Sequence, residues 1–177
     1  NFKSFYQARL ILMVVPVGVF SAILGHGLVG RPFSMLSIWG VVALIGILVN
    51  DAVVMLDRYN RNLKEGMNLQ EAVIQAGRSR FRPIILTTIT TFVGLFPLIL
   101  EKSFQAQFLI PMATSVAFGV LFGTLILLFY FPSLILYFND LRRLRVWIWN
   151  GGKKPPTKLE VEPVNITKKR FEELNSK

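Results

Sequence analysis

Gly46-Ile47-Leu48-Val49-Asn50-Asp51-Ala52-Val53-Val54 is an apolar run that contains one carboxylate. That carboxylate decides how its surroundings are read. A charged side chain at the centre of a membrane-spanning helix costs roughly 2.5 to 3.5 kcal/mol even on the lenient insertion scale, so it persists where protons or ions are handled. Working outward, residues 33–56 carry no other charge, and comparable stretches occupy residues 10–30, 83–100 and 108–138. Each reaches or approaches the ~20 residues that a helix needs to cross the hydrocarbon.

The whole chain agrees with that reading. It is 53% hydrophobic, with a mean hydropathy of +0.51. Its charges are confined to a few places, as in a membrane protein and unlike a soluble domain. The expected fold is an all-α integral membrane bundle with transmembrane helices at about 9–30, 33–57, 83–100 and 108–138, preceded by a lead-in at 1–8.

Cytoplasmic flanks collect Lys and Arg. With alternating sides, eighteen of the twenty basic residues fall on one face, and only Arg31 and Lys102 on the other. Both termini are therefore expected in the cytoplasm. A net charge of +10 would suggest nucleic acid in a soluble protein, but here the basic residues flank apolar spans without an interleaved stacking pattern. Anionic lipid headgroups explain them better. The absence of cysteine excludes disulfides and thiol chemistry. The first residue is Asn1, no cleavable signal precedes the first span, and the chain reads as the C-terminal part of something longer.

Several local features refine the bundle. Pro16 and Gly18 near the middle of the first span predict a kinked, closely packed helix. His26, between Gly25 and Gly27, is read as an interfacial or loop histidine. Gly30-Arg31-Pro32 makes a tight turn into the second span, where Gly40, Ala43 and Gly46 recur at helical spacing and let helices approach closely. Gly66 breaks the helix that follows, and residues 67–82 read as a cytoplasmic amphipathic helix with Glu71 at its start and arginines at its end.

Pro83 is expected to open the third span, where a proline is tolerated at the first helical position. Arg80, Thr87, Thr91 and Gly94 then fall on one stripe, which faces the bundle interior or a water path. The fourth span is expected to begin around Pro111, with Gly119 and Gly123 as packing positions. Residues 141–149 alternate basic with aromatic and aliphatic side chains and belong at the headgroup level. Residues 150–177 have too few apolar side chains to form a core and read as a disordered cytoplasmic tail, which makes the Asn165-Ile166-Thr167 sequon a chance match.

No metal cluster, nucleophile triad or phosphate-cradling loop is present in the sequence, so enzymatic hydrolysis has no apparatus. What remains is Asp51, the amide of Asn50 beside it, and the stripe from Arg80 to Thr87. Asp57 lies six residues beyond Asp51, about 9 Å along a helix axis, so Asp51 could also sit near the interface. The buried reading is favoured because Val53, Val54, Met55 and Leu56 continue the apolar run.

These strings, with Glu71-Ala72, Arg80-Phe81-Arg82-Pro83-Ile84-Ile85-Leu86-Thr87-Thr88, Gly94-Leu95-Phe96-Pro97-Leu98 and Pro111, resemble the last four transmembrane helices of resistance-nodulation-division efflux permeases. The resemblance covers roughly residues 5–140. It implies a part of a twelve-helix permease that works as a homotrimer with a periplasmic adaptor and an outer-membrane channel in the bacterial inner membrane, and exports drugs or other amphiphiles against inward proton flow. Protons would be the coupling ion, with no other cofactor. It also implies that Asn50 falls where the drug pumps have the relay lysine, Asp51 where they have an asparagine, and Arg80 and Thr87 at the relay arginine and threonine. The lysine is absent, so a relay in which Asp51 supplements or replaces one partner is the expected arrangement. Two alternatives remain open: a related permease moving lipid, metal or protein, and a non-transporting scaffold or sterol-sensing type of module in which Asp51 is a structural hydrogen-bonding group.

Overall fold

A computed structural model describes residues 5–149 and Gly151. The sequon and most of the charged tail lie outside the described residues. Five helices follow in order: α1 (Phe5–Leu12), α2 (Val14–Val29), α3 (Met35–Lys64), α4 (Leu69–Leu100) and α5 (Phe104–Trp149), with no strand among the described residues. Four segments are long and apolar enough to cross a membrane: Gln7–Val29, Met35–Lys64, Leu69–Leu100 and Phe104–Trp149.

The first span is divided between α1 and α2 at Met13. Pro16 explains the division, because it has no N–H for the carbonyl of Leu12 and its ring crowds that residue. Gly30, with φ +68, ends α2 in a left-handed turn, and the backbone N–H groups of Gly30 and Arg31 both reach the carbonyl of His26. A reciprocal hydrogen-bonded pair, Ser34 and Ser37, caps α3. Gly66, with φ +89, closes it.

Three expectations are corrected. Pro83 does not open a helix; it lies inside α4, so the segment at 67–82 and the third span form one continuous rod. Packing of Leu69, Ala72, Val73 and Ala76 before the proline, and of Ile84 and Thr88 after it, holds both halves in line. Membrane helices tolerate such prolines when neighbours restrain them. Pro111 likewise lies inside α5, which begins earlier, at Phe104, and continues unbroken through residues 141–149. His26 is neither in a loop nor at an exposed interface, since it is 4% exposed in the last turn of α2.

α2, α3 and α5 pack as a close trio. A Cβ on Gly40 would come within 2.6 Å of the Met112 carbonyl oxygen, so α3 and α5 approach there at backbone distance. Further along, Leu44 fills the space over Gly119, and Leu48 fills that over Gly123 and Gly18. At the end bearing most of the basic residues, hereafter the basic end, α4 packs on α3 through Leu69, Ala72, Val73 and Ala76. At the neutral end it packs on α5 instead, where Phe92, Leu95, Leu98 and Ile99 meet Ala113, Ala117 and Phe118.

Candidate functional site

The polar residues of interest lie along α3 and α4. The side of α3 that packs on its neighbours carries Ser37, Val41, Leu44, Leu48, Ala52, Met55, Leu56, Tyr59 and Asn62. The opposite side, with Trp39, Val42, Ala43, Gly46, Asn50 and Asp57, is open. Asp51 lies at the rim between them and is half-buried.

Two contacts fix the antiparallel register of α3 against α4. The Asn62 amide donates to the Ala72 carbonyl at 3.1 Å, and the Met55 methyl group lies over Gly77. Continuing that register at 1.5 Å per residue brings Asp51 level with the Arg80–Pro83 turn. Arg80, at the start of that turn, is half-buried. No ion pair joins it to Asp51: among the described residues the ion pairs are Asp57–Arg61 at 2.9 Å and Asp140–Arg143 at 3.5 Å.

The threonines behave differently from one another. Thr88 is buried and bonds the Ile84 carbonyl at 2.9 Å. Thr87 faces the open side and shares its hydroxyl between the carbonyls of Pro83 and Ile84. Thr91 is half-buried, and Gly94 is open, with nothing within 4 Å of the point where a Cβ would stand. Of the packing candidates, Gly40 meets a neighbouring helix, whereas Ala43 is exposed and Gly46 has open space around it. Asn50, Gly46, Thr87 and Gly94 therefore lie on surfaces that the described residues leave uncovered.

One group was missed by the sequence reading. Arg58 is half-buried, and its Nε is enclosed without a hydrogen-bond partner among the described residues. It lies seven residues beyond Asp51, two turns along the same side of α3, and helical side chains lean back towards the N-terminus. The i, i+7 spacing of acid and base was the available signal. As a whole, the arrangement is a carboxylate at the margin of a packed helix face, with Arg80 at a similar height on α4 and Arg58 two turns further along α3. No group of three or more His, Cys, Asp or Glu side chains that could hold a metal occurs among the described residues.

Comparison with known proteins gives a consistent answer. Residues 1–139 match the model of the AcrB/AcrD/AcrF family. The chain is 33% identical over 147 residues to the multidrug resistance protein MdtC of Erwinia amylovora, covering 82% of the chain and 14% of that protein. It is 34% identical over 148 residues to MdtC of Erwinia tasmaniensis, covering 83% of the chain and 14% of the relative. MdtC of Yersinia pseudotuberculosis matches at 32% over 160 residues, covering 90% of the chain and 15% of the relative. Among solved structures, the crystal structure of a heavy metal efflux pump superimposes with a TM-score of 0.66 at 30% identity, over 76% of this chain and 14% of that one. The chain thus spans about one seventh of the length of the relatives it matches. With four membrane-crossing helices, a match over most of its length and the resemblance carried by the runs around Asp51 and Arg80, the chain belongs to the AcrB/AcrD/AcrF family of resistance-nodulation-division permeases.

Proposed function

We propose that this chain is the C-terminal transmembrane part of a proton-driven export permease, and that Asp51 belongs to its proton path. The observation that carries the reading is the position of Asp51: a half-buried carboxylate on a membrane-crossing helix, level with Arg80 and not ion-paired to it. A proton that neutralises the carboxylate weakens its pull on nearby cations and hydroxyls and lets helices shift; release resets them. The membrane potential supplies about 2.3 kcal/mol per charge per 100 mV, which is enough to drive such a cycle.

In this reading Asn50, Arg80 and Thr87 serve Asp51 as neighbours in the relay, and the proton is the coupling ion. The open sides of α3 and α4 are covered by the remaining N-terminal part of the permease, which also contributes the substrate-binding domains. The assembly is a homotrimer in the bacterial inner membrane, joined to a periplasmic adaptor and an outer-membrane channel, with both ends of this segment in the cytoplasm. Likeness to multidrug resistance proteins supports drugs or small amphiphiles as cargo. Likeness to a heavy metal efflux pump supports metal ions as a second reading of the cargo.

The test uses the full-length permease in efflux-deficient cells. Dye accumulation is measured with and without an uncoupler for the wild type and Asp51→Asn, with membrane level and trimer content followed in parallel. The expected result is normal assembly with loss of uncoupler-sensitive efflux. A variant that assembles and pumps like the wild type would remove Asp51 from the proton path. Growth of the same strains on copper, silver or zinc salts separates the two cargoes.

A further inference from the structure

His26 and the serines around it form a buried polar knot that the Asp51 arrangement does not use. The ring is 4% exposed, and both of its nitrogens are engaged. Nδ1 lies 3.0 Å from the Ala22 carbonyl oxygen, which can only accept, so Nδ1 carries a proton. In the neutral ring Nε2 is then the acceptor, and the Ser37 hydroxyl, 2.8 Å away, donates to it. The Ser37 oxygen accepts the backbone N–H of Ser34 at 3.1 Å and lies 3.4 Å from the Ser34 hydroxyl. Its one proton and both lone pairs are thereby used. The Ser37 carbonyl in turn accepts the hydroxyl of Ser115 on α5 at 3.0 Å, and Phe33 meets the His26 ring edge to face at 5.1 Å. Three helices are joined through one residue, Ser37, which is 0% exposed.

We infer that His26 is a positioning residue for Asp51, acting through Ser37 to set the height and rotation of α3. The inference rests on the proposed role of Asp51 in the proton path. Ser37 and Asp51 are separated by two heptads of an uninterrupted helix without proline, about 21 Å along its axis. Two heptads drift by only about 40° around a straight helix, so Asp51 follows the face that Ser37 anchors. Because Asp51 sits at the rim between the packed and open sides, a small rotation of α3 changes which side its carboxylate faces. Without the ring, the buried Ser37 hydroxyl loses its acceptor and turns towards a carbonyl of its own helix, and that anchor is lost.

The experiment measures uncoupler-sensitive efflux against external pH, at matched membrane level, in the full-length permease. The variants are His26→Ala, Ser37→Ala and His26→Gln, each with and without Asp51→Asn. At the end of the bundle near His26, the charged groups are Arg31 in the α2–α3 turn and Glu101 and Lys102 between α4 and α5; α3, α4 and α5 carry none there. At the Asp51 end they are Asp57, Arg58, Arg61 and Lys64 of α3, Glu65 after it, Glu71, Arg78, Arg80 and Arg82 of α4, Arg9 of α1, and Asp140, Arg142, Arg143 and Arg145 of α5. None of these is altered by the variants.

His26→Ala is expected to lower efflux by roughly tenfold, the factor of one buried hydrogen bond, Ser37→Ala, which also takes the acceptor from the Ser34 N–H, by at least as much, and both move the pH midpoint in the same direction. His26→Gln, whose side-chain oxygen can accept from Ser37, is expected to restore efflux to within about twofold of the wild type. Neither alanine variant should add to the defect of Asp51→Asn. Efflux that merely follows membrane level, or a midpoint that moves with His26→Ala and stays put with Ser37→Ala, would overturn the inference while leaving the role of Asp51 intact. An Asp51→Asn permease that pumps like the wild type would instead remove the reading on which the inference rests.

Discussion

α3 and α4 have nearly the same length, 30 and 32 residues, but they are held in opposite ways. α3 is bonded to its neighbours near both ends: Ser37 links it to His26 of α2 and Ser115 of α5, Asn60 accepts from Gln7 of α1, and Asn62 donates to Ala72 of α4. It contains no proline. α4 contains Pro83 and Pro97, and the hydroxyls of Ser79, Thr87, Thr88 and Thr90 all bond carbonyls of their own helix. Hydroxyls satisfied in this way impose no alignment on a neighbouring helix, so among the described residues apolar packing locates the neutral end of α4. The carboxylate of the candidate relay is thus mounted on a rod bonded near both ends, and Arg80 on the bonded half of a rod whose other half is held by packing.

The sharpest way to break this contrast is to crowd α3. Gly40→Leu should destabilise the chain by about 3 kcal/mol, because a Cβ there meets the backbone of α5, whereas Gly94→Leu on α4 enters open space. Thermal unfolding of both variants in the same detergent would show whether the two helices differ as described. The next effect is smaller and more local. Asn62→Ala should cost about 1 to 2 kcal/mol, and its accelerated amide exchange should be concentrated in the first turns of α4, leaving the α2–α3–α5 trio protected.

Removing the cap of α3 by Ser34→Ala is expected to cost about 1 kcal/mol, read as a lowered melting midpoint with faster exchange in the first turn of α3. Thr90→Val should change stability by less than about 0.5 kcal/mol, since the hydroxyl is exposed and bonds only its own helix. A large loss from Thr90→Val would show that α4 is held through its hydroxyls after all.

The contrast also explains what the sequence could and could not disclose. Apolar length set out the four spans, and the glycines at 30 and 66 marked the two turns, because both signals are local. Pro83 and Pro111 misled as helix starts because the propensity of proline is local, while the packing that carries helices through them is not. His26 was misplaced for a related reason: Ser37, which bonds its ring, is 11 residues away on the next helix, Ser115, which bonds Ser37, is 78 residues further on, and nothing in the residues beside His26 announces them. At the candidate site, Asp51 was legible from its position as the one carboxylate inside an apolar run. The enclosed Nε of Arg58 was not, since burial of one nitrogen depends on the helices that surround it.

α5 runs without interruption for 46 residues, about 69 Å, whereas a bilayer with its headgroups is about 40 to 45 Å thick. Even when tilted, a helix of that length has more than a membrane can cover, and its basic, tryptophan-bearing end continues past the end of the apolar stretch. Since the same helix is bonded to α3 near the other end of the bundle, it acts as a pointer whose protruding tip magnifies small tilts of the body to which it is fastened. A spin label or fluorophore on that tip would read out, from the aqueous side, a motion whose origin is in the lipid.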